Sequence, residues 1–230
     1  MAVDSLSLQK IAIRAYTVTK GITADGGEAI VIQAPIEPPE GAQYLIDETL
    51  RGFNTDQIDI LVNNTGVPLF EEALRATHKQ LTEVLDVNIK SAGFVTQAVV
   101  PLIAPGGRIM NISSIASKLG NTFIPIYGVF KAALDSFTWS SVKEWGRRKG
   151  ITVNGVAPGP ILTDASPAAM ADAFQRPSIE ITQAANRAGT SKYTGDAVHL
   201  LVSEKARWLP GQYISVSEGV SDSKNHSIFN

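Results

Sequence analysis

The run Ile58–Val62 (IDILV) sets the first constraint on this chain. A short, nearly continuous apolar run rich in β-branched residues suits a strand covered on both faces, the situation in parallel sheets layered with helices. Three comparable runs follow at Gly107–Ser114 (GRIMNISS), Ile151–Val156 and Gln212–Val216. Segments with helical spacing lie between them. Thr77-x-x-Gln80 has the form of a capping box opening a helix through Val87. Pro125–Lys149 carries an apolar stripe, and Thr194–Ser203 has helical character. Upstream, Lys10–Ile13 and Ala29–Gln33 (AIVIQ) are further strand candidates, and Glu40–Gly52 is helical in pattern. The alternation predicts an α/β fold: a mostly parallel sheet with helices on both faces. No repeat or low-complexity linker interrupts it, so residues 1–230 read as a single domain. Ligands in such sheets sit beyond the C-terminal strand ends.

Composition removes several classes of function. With no cysteine, a thiol nucleophile, a disulfide scaffold and Cys-ligated metal sites are excluded. His78, His199 and His226 lack ligand spacing, and no metal site is expected. A formal charge of −2 leaves no electrostatic footprint for nucleic acid. Met1–Gln9 lacks the form of a secretory signal, and apolar stretches such as Ala92–Ala104 fall short of the roughly 20 residues that span a bilayer. The chain is expected to be cytoplasmic, with neither membrane nor nucleic acid as partner. N-x-S/T matches begin at Asn63, Asn111 and Asn225; without secretion they carry no glycan, and chance or another role explains them better. The basic cluster Lys143, Arg147, Arg148 and Lys149 suits a helix C-terminus. The polar tail Ser221–Asn230 is expected to fray.

The strand ends carry the chemistry. IDILV runs into Asn63-Asn64-Thr65-Gly66, small and turn-forming residues that let backbone approach a ligand, or simply make a turn. GRIMNIS ends at Ser113-Ser114, and Tyr127 and Lys131 follow at i and i+4 on one helix face. A free tyrosine titrates near pH 10. A neighbouring ammonium is expected to lower that value and suit the phenol to proton transfer. Ser114 can polarise a carbonyl oxygen. Taken alone, Y-x-x-x-K is more often a surface pair; the serine at the preceding strand end gives it weight. Ile151–Val156 continues into Ala157-Pro158-Gly159-Pro160-Ile161-Leu162-Thr163, a rigid turn beside a permissive one.

Together these motifs resemble the short-chain dehydrogenase/reductase family across roughly Ile58 to Gly219, which implies a Rossmann-like, doubly wound parallel sheet. The resemblance implies an oxidoreductase interconverting a carbonyl and an alcohol on a small, apolar substrate, in short a ketoreductase. Its catalytic residues would be Asn88, Ser114, Tyr127 and Lys131: Tyr127 exchanges the proton, Ser114 orients the oxygen, Lys131 binds ribose hydroxyls, and Asn88 connects Lys131 to water. Cofactor contacts are implied for Asn63, Gly66, Tyr127, Lys131, Pro158, Gly159, Ile161 and Thr163, with NADP placed ahead of NAD. Asp164–Arg187 would form a substrate lid, its Ala168, Ala169, Met170, Ala173 and Phe174 suiting an apolar substrate or packing on the core. A homo-oligomer, dimer or tetramer, is implied through Thr77–Ala104 and Pro125–Lys149. Two other readings stand beside this one: a non-redox enzyme (cyclase, isomerase or dehydratase) on the same scaffold, and a non-catalytic binding protein with a remnant site.

The N-terminal part departs from that pattern. No G-x-x-x-G-x-G follows Lys10–Ile13, and Gly26-Gly27 precedes a strand candidate rather than a helix. Only 44 residues separate Ile13 from Ile58, where the family's three helices and two strands need roughly 60 or more. Thr17–Ile46 resembles the family from its second helix onward, so the first helix, its glycine loop and the second strand are expected to be missing. Gln33-Ala34-Pro35 places proline where the family often has an aspartate at the adenine. Three explanations are open. Ala29–Gln33 takes the vacated place in the sheet, or the protein has residues that this sequence lacks, or the gene model is wrong.

Overall fold

The computed structural model describes residues 5–220 except 37, 121, 123, 164–178, 181 and 184. Helix α1 (Ser5–Ala24) comes first and contains the whole of Lys10–Ile13, so that strand expectation is corrected. A run of three apolar residues after Lys10 does not distinguish strand from helix, and a helix closes its backbone bonds without a neighbour. Thr17 and Thr23 donate their hydroxyls to the Ile13 and Thr19 carbonyls, the back-bonding that lets threonine sit within a helix. Ile13, Tyr16, Val18 and Ile22 are exposed on it.

Residues 27–36 form no strand, so Ala29–Gln33 does not enter the sheet. They run along helix α2 (Pro39–Phe53), entered through a proline at its first position and closed by Asn54 in the left-handed conformation. The approach is close. A Cβ on Gly52 would meet the Ile30 side chain at 2.4 Å, and one on Gly41 would overlap the Pro35 carbonyl.

Strand β1 (Ile58–Asn63) is followed by α3 (His78–Leu85), whose Thr77–Gln80 capping box is complete on both sides. A π turn, Asp86–Lys90, links α3 to α4 (Ser91–Val99). Then come β2 (Ile103–Ile112), the short α5 (Ala116–Leu119) and α6 (Pro125–Ser141). A second π turn, Val142–Gly146, leads into α7 (Arg147–Lys149). Strand β3 (Thr152–Pro158), the two-residue strands β4 (Ile161–Leu162) and β5 (Gly189–Thr190), α8 (Ser191–Val202) and β6 (Tyr213–Val216) complete the order.

The main sheet has the order β1-β2-β3-β6, every pair parallel, as the apolar runs predict. One face buries Ile109 and Val153 against Ala42 and Ile46 of α2 and Val95 and Val99 of α4. The other buries Met110, Ile112 and Val156 against Leu201 of α8 and Ala206. Each fully buried Ile or Val contributes about 1.5–3 kcal/mol, and these layers fix the strand ends that carry the site. β1 departs from its expectation of cover on both faces. It is an edge strand, with Ile60 45% and Val62 41% exposed. Among the described residues no helix is long and apolar enough to cross a membrane.

Candidate active site

The sequence-predicted residues converge at the C-terminal ends of β1 and β2. Asn88 reaches this point because it sits in the π turn, where an extra residue re-aims the side chain within an otherwise continuous helix. It is 1% exposed. Its amide nitrogen donates to the Val67 and Val84 carbonyls at 3.0 and 2.9 Å, and its oxygen accepts from the Val67 N–H at 3.3 Å. Asn88 thus clamps the loop that leaves β1. Gly66 lies in that loop. A Cβ there would stand 2.8 Å from Asn88 Oδ1 and 3.2 Å from Lys131 Nζ, so only glycine lets the three groups meet.

Lys131 is 2% exposed on the inner face of α6. Its ammonium donates to the Ile112 carbonyl at 2.8 Å and lies 5.6 Å from the Tyr127 ring centroid. Burial pushes its pKa down to about 8, opposed by the Asp135 carboxylate. The effect on Tyr127 differs from the sequence expectation. Burial raises the phenol above its usual pKa, a hydrogen bond with Ser114 pulls the other way, and the lysine is not among the causes. The ammonium stands over the ring, so the loss of solvation outweighs it. Ser114 starts the turn after β2: its Oγ accepts from the Ala116 N–H at 3.2 Å, and its carbonyl accepts from the Tyr213 hydroxyl at 3.3 Å.

Of the remaining implied positions, Asn63 spends its amide inside the protein, donating to Thr96 Oγ1 at 3.0 Å and to Asn111 Oδ1 at 2.8 Å. Asn111 passes the chain on to Thr138 Oγ1 at 2.8 Å. Two of the N-x-S/T asparagines therefore form a buried polar ladder tying β1 and β2 to α4 and α6. The signal was available in sequence as asparagines that the parallel register pairs, Asn63 with Asn111. Pro158 and Gly159 turn at the end of β3, where a Cβ on Gly159 would strike Ser217 Cα at 2.7 Å. Pro158, Ile161 and Thr163 border a cavity of about 390 Å³ together with Val62, Asn64 and Ile112. Ala168, Ala169, Met170, Ala173 and Phe174 of the expected lid, and the tail Ser221–Asn230, lie outside the described residues.

The residues present fit the nicotinamide–ribose end of a dinucleotide. A buried ammonium has three N–H donors, one given to Ile112, and faces a glycine with no Cβ, and Ile112 also borders the cavity. Ahead of β1, among the described residues, no glycine-rich turn leads from a strand into a helix.

A family model described as enoyl-(acyl carrier protein) reductase matches residues 6–221. The chain is 32% identical over 212 residues to the short-chain dehydrogenase/reductase FrzI of Cladobotryum, covering 90% of this chain and 81% of that protein. It is 34% identical over 208 residues to a 3-oxoacyl-(acyl-carrier-protein) reductase of Synechocystis, with 90% and 81% covered. Among solved structures, a short-chain dehydrogenase from Burkholderia cenocepacia in complex with NADP superposes with a TM-score of 0.82 at 30% identity, covering 91% of this chain and 83% of that one.

Proposed function

The chain belongs to the short-chain dehydrogenase/reductase family, whose members act on carbonyl/alcohol pairs, and we propose that it reduces a ketone on a small, apolar substrate with NADPH. The observation that carries this reading is the meeting of Asn88 and Lys131 at Gly66, with the Lys131 ammonium 5.6 Å from the Tyr127 ring and the Tyr127 phenol hydrogen-bonded to Ser114. The NADP in the Burkholderia relative supports the choice of cofactor.

The protonated phenol is the form that reduction consumes, and burial favours it over the phenolate. The phenol stays protonated at neutral pH and has a proton to give. Ser114 hydrogen-bonds the phenol and would hold the substrate oxygen beside it. Tyr127 protonates that oxygen as it gains negative charge. Lys131 would hold the ribose hydroxyls of a bound cofactor and would stabilise the phenolate left behind. Asn88, bound to the loop after β1, completes the route by which a proton returns from water. The nicotinamide supplies the hydride when bound.

The test is turnover of a carbonyl panel with NADPH. Tyr127→Phe removes the proton and should cost at least 10²–10⁴-fold in kcat, with the circular dichroism spectrum unchanged. Undiminished turnover in that variant overturns the assignment.

A second reading, a non-redox cyclase, isomerase or dehydratase, is favoured by one observation. β1 is an edge strand, and the described residues ahead of it supply no phosphate-binding turn. Turnover without added nicotinamide would select it, and strict dependence on the cofactor would eliminate it.

A further inference from the structure

The tetrad does not use the most deeply buried carboxylate near it. Asp135 is 2% exposed and lies one helical turn beyond Lys131 on α6. Ser113 Oγ donates to Asp135 Oδ1 at 2.5 Å and approaches the Lys131 carbonyl at 3.4 Å. Lys118 Nζ, from α5, stands 3.1 Å from Asp135 Oδ2. That ammonium also lies 5.2 Å from the Trp139 ring and 5.1 Å from the Tyr213 ring. The Tyr213 hydroxyl closes the circuit by donating to the Ser114 carbonyl, and it accepts from Ser117 Oγ at 3.4 Å. Ser113 lies beside Ser114 in the turn after β2, and Ser117 and Lys118 lie on α5, which that turn opens directly. Every contact therefore joins that turn or α5 to α6, which carries Tyr127 and Lys131, or to β6.

We infer that Asp135 is a positioning residue for the tetrad: its carboxylate, gripped by Ser113 and Lys118, locks the Ser114 turn onto α6 and holds Lys131 as an ammonium. The inference rests on the reading that Ser114, Tyr127 and Lys131 perform the chemistry. Asp135 opposes the effect of burial on Lys131, so without it the cation would lose its proton more readily. The groups around Lys131 are few. Tyr127 and Asp135 share its helix, and Lys118 reaches it only through Asp135. β2 presents the Ile112 carbonyl and Ser113, the π turn presents Asn88, and the loop after β1 presents Gly66.

The experiment follows the Lys131 side chain by NMR in lysine-labelled protein, its signal identified by its loss in Lys131→Met, alongside pH profiles of kcat and KM. Asp135→Asn keeps an oxygen for Ser113 and removes the charge. The Lys131 midpoint should fall by about one pH unit, as expected for losing an opposite charge within reach, and the alkaline limb of kcat should move down with it. Lys118→Met removes a competing cation, so the midpoint should rise. A purely structural loosening would not give shifts of opposite sign. Asp135→Ala loses both contacts, and kcat should fall at least tenfold at every pH while KM for the ketone changes less than threefold. Shifts of the same sign in Asp135→Asn and Lys118→Met, or an unmoved Lys131 midpoint in Asp135→Asn, overturn the proposal. So does a kcat in Asp135→Ala within twofold of the parent. If Asp135→Ala does not fold, the other two variants decide. The NMR arm needs no turnover, so a parent protein that reduces no ketone would refute the functional reading and leave this one testable.

Discussion

Replacing Lys131 with methionine should make the protein more stable at neutral pH while removing its activity. In the folded state the ammonium titrates at about 8 instead of 10.5, because burial strips its hydration. Below about pH 8 both folded and unfolded chains carry the charge, and the folded state bears its full desolvation cost. At one pKa unit per 1.36 kcal/mol, that cost is about 3 kcal/mol. Between 8 and 10.5 the unfolded chain binds more protons, so stability rises with pH through that window. Methionine keeps the length of the stem and removes the charge; Asp135 retains Ser113 and Lys118. The gain of Lys131→Met over the parent should be largest near pH 7, on the order of 2–3 kcal/mol, and should shrink by about 2 kcal/mol by about pH 9.5. Tyr127, with its raised pKa, contributes oppositely above pH 10, so the comparison stops short of there. Urea denaturation of both proteins across pH 7–9.5 measures it. A stability difference that stays flat with pH, or that grows, would refute the claim that burial of this cation is costly.

Gly66→Ala should cost about 1–3 kcal/mol in stability from overpacking. It should also cost more than tenfold in kcat, because the added methyl presses on Asn88 and Lys131 together; thermal melts and steady-state kinetics read the two. Asn111→Ala leaves one Asn63 N–H without its acceptor, the other still bound to Thr96, and removes a partner of Thr138, so chemical denaturation should show a loss of about 1–3 kcal/mol. Thr77→Ala removes the cap of α3 and should lower stability by about 1 kcal/mol with kcat unchanged.

The downstream two-thirds of the fold was legible because its strands are apolar on both faces and stop at turn residues. Ile58–Val62, Ile151–Val156 and Gln212–Val216 fall within one or two residues of β1, β3 and β6. Residues before Ile58 were harder because strand character depends on neighbours. Lys10–Ile13 coils into α1 and Ala29–Gln33 lies along α2, and neither pairs with the open edge of β1. The tetrad was legible through spacing, which gives proximity. It did not give the sign of the Tyr127 shift, because spacing says nothing of solvation. Asp135 was invisible for a related reason: its importance arises from Ser113 and Lys118, which approach only when the turn after β2 packs on α6.

The π turn at Asp86–Lys90 separates two properties that usually change together. The extra residue contributes nothing that an ordinary helical turn would not provide to the flanking helices, whose outer faces keep their own caps and packing. Its effect is angular. Removing one residue there would restore α-helical winding and turn everything on one side by about 100° relative to the other, carrying Asn88 away from Val67. The chain would remain foldable and the tetrad would be incomplete. In lineages descended from such a protein, a one-residue length difference in this helix would therefore mark the loss of chemistry before any substitution among Ser114, Tyr127 or Lys131 did.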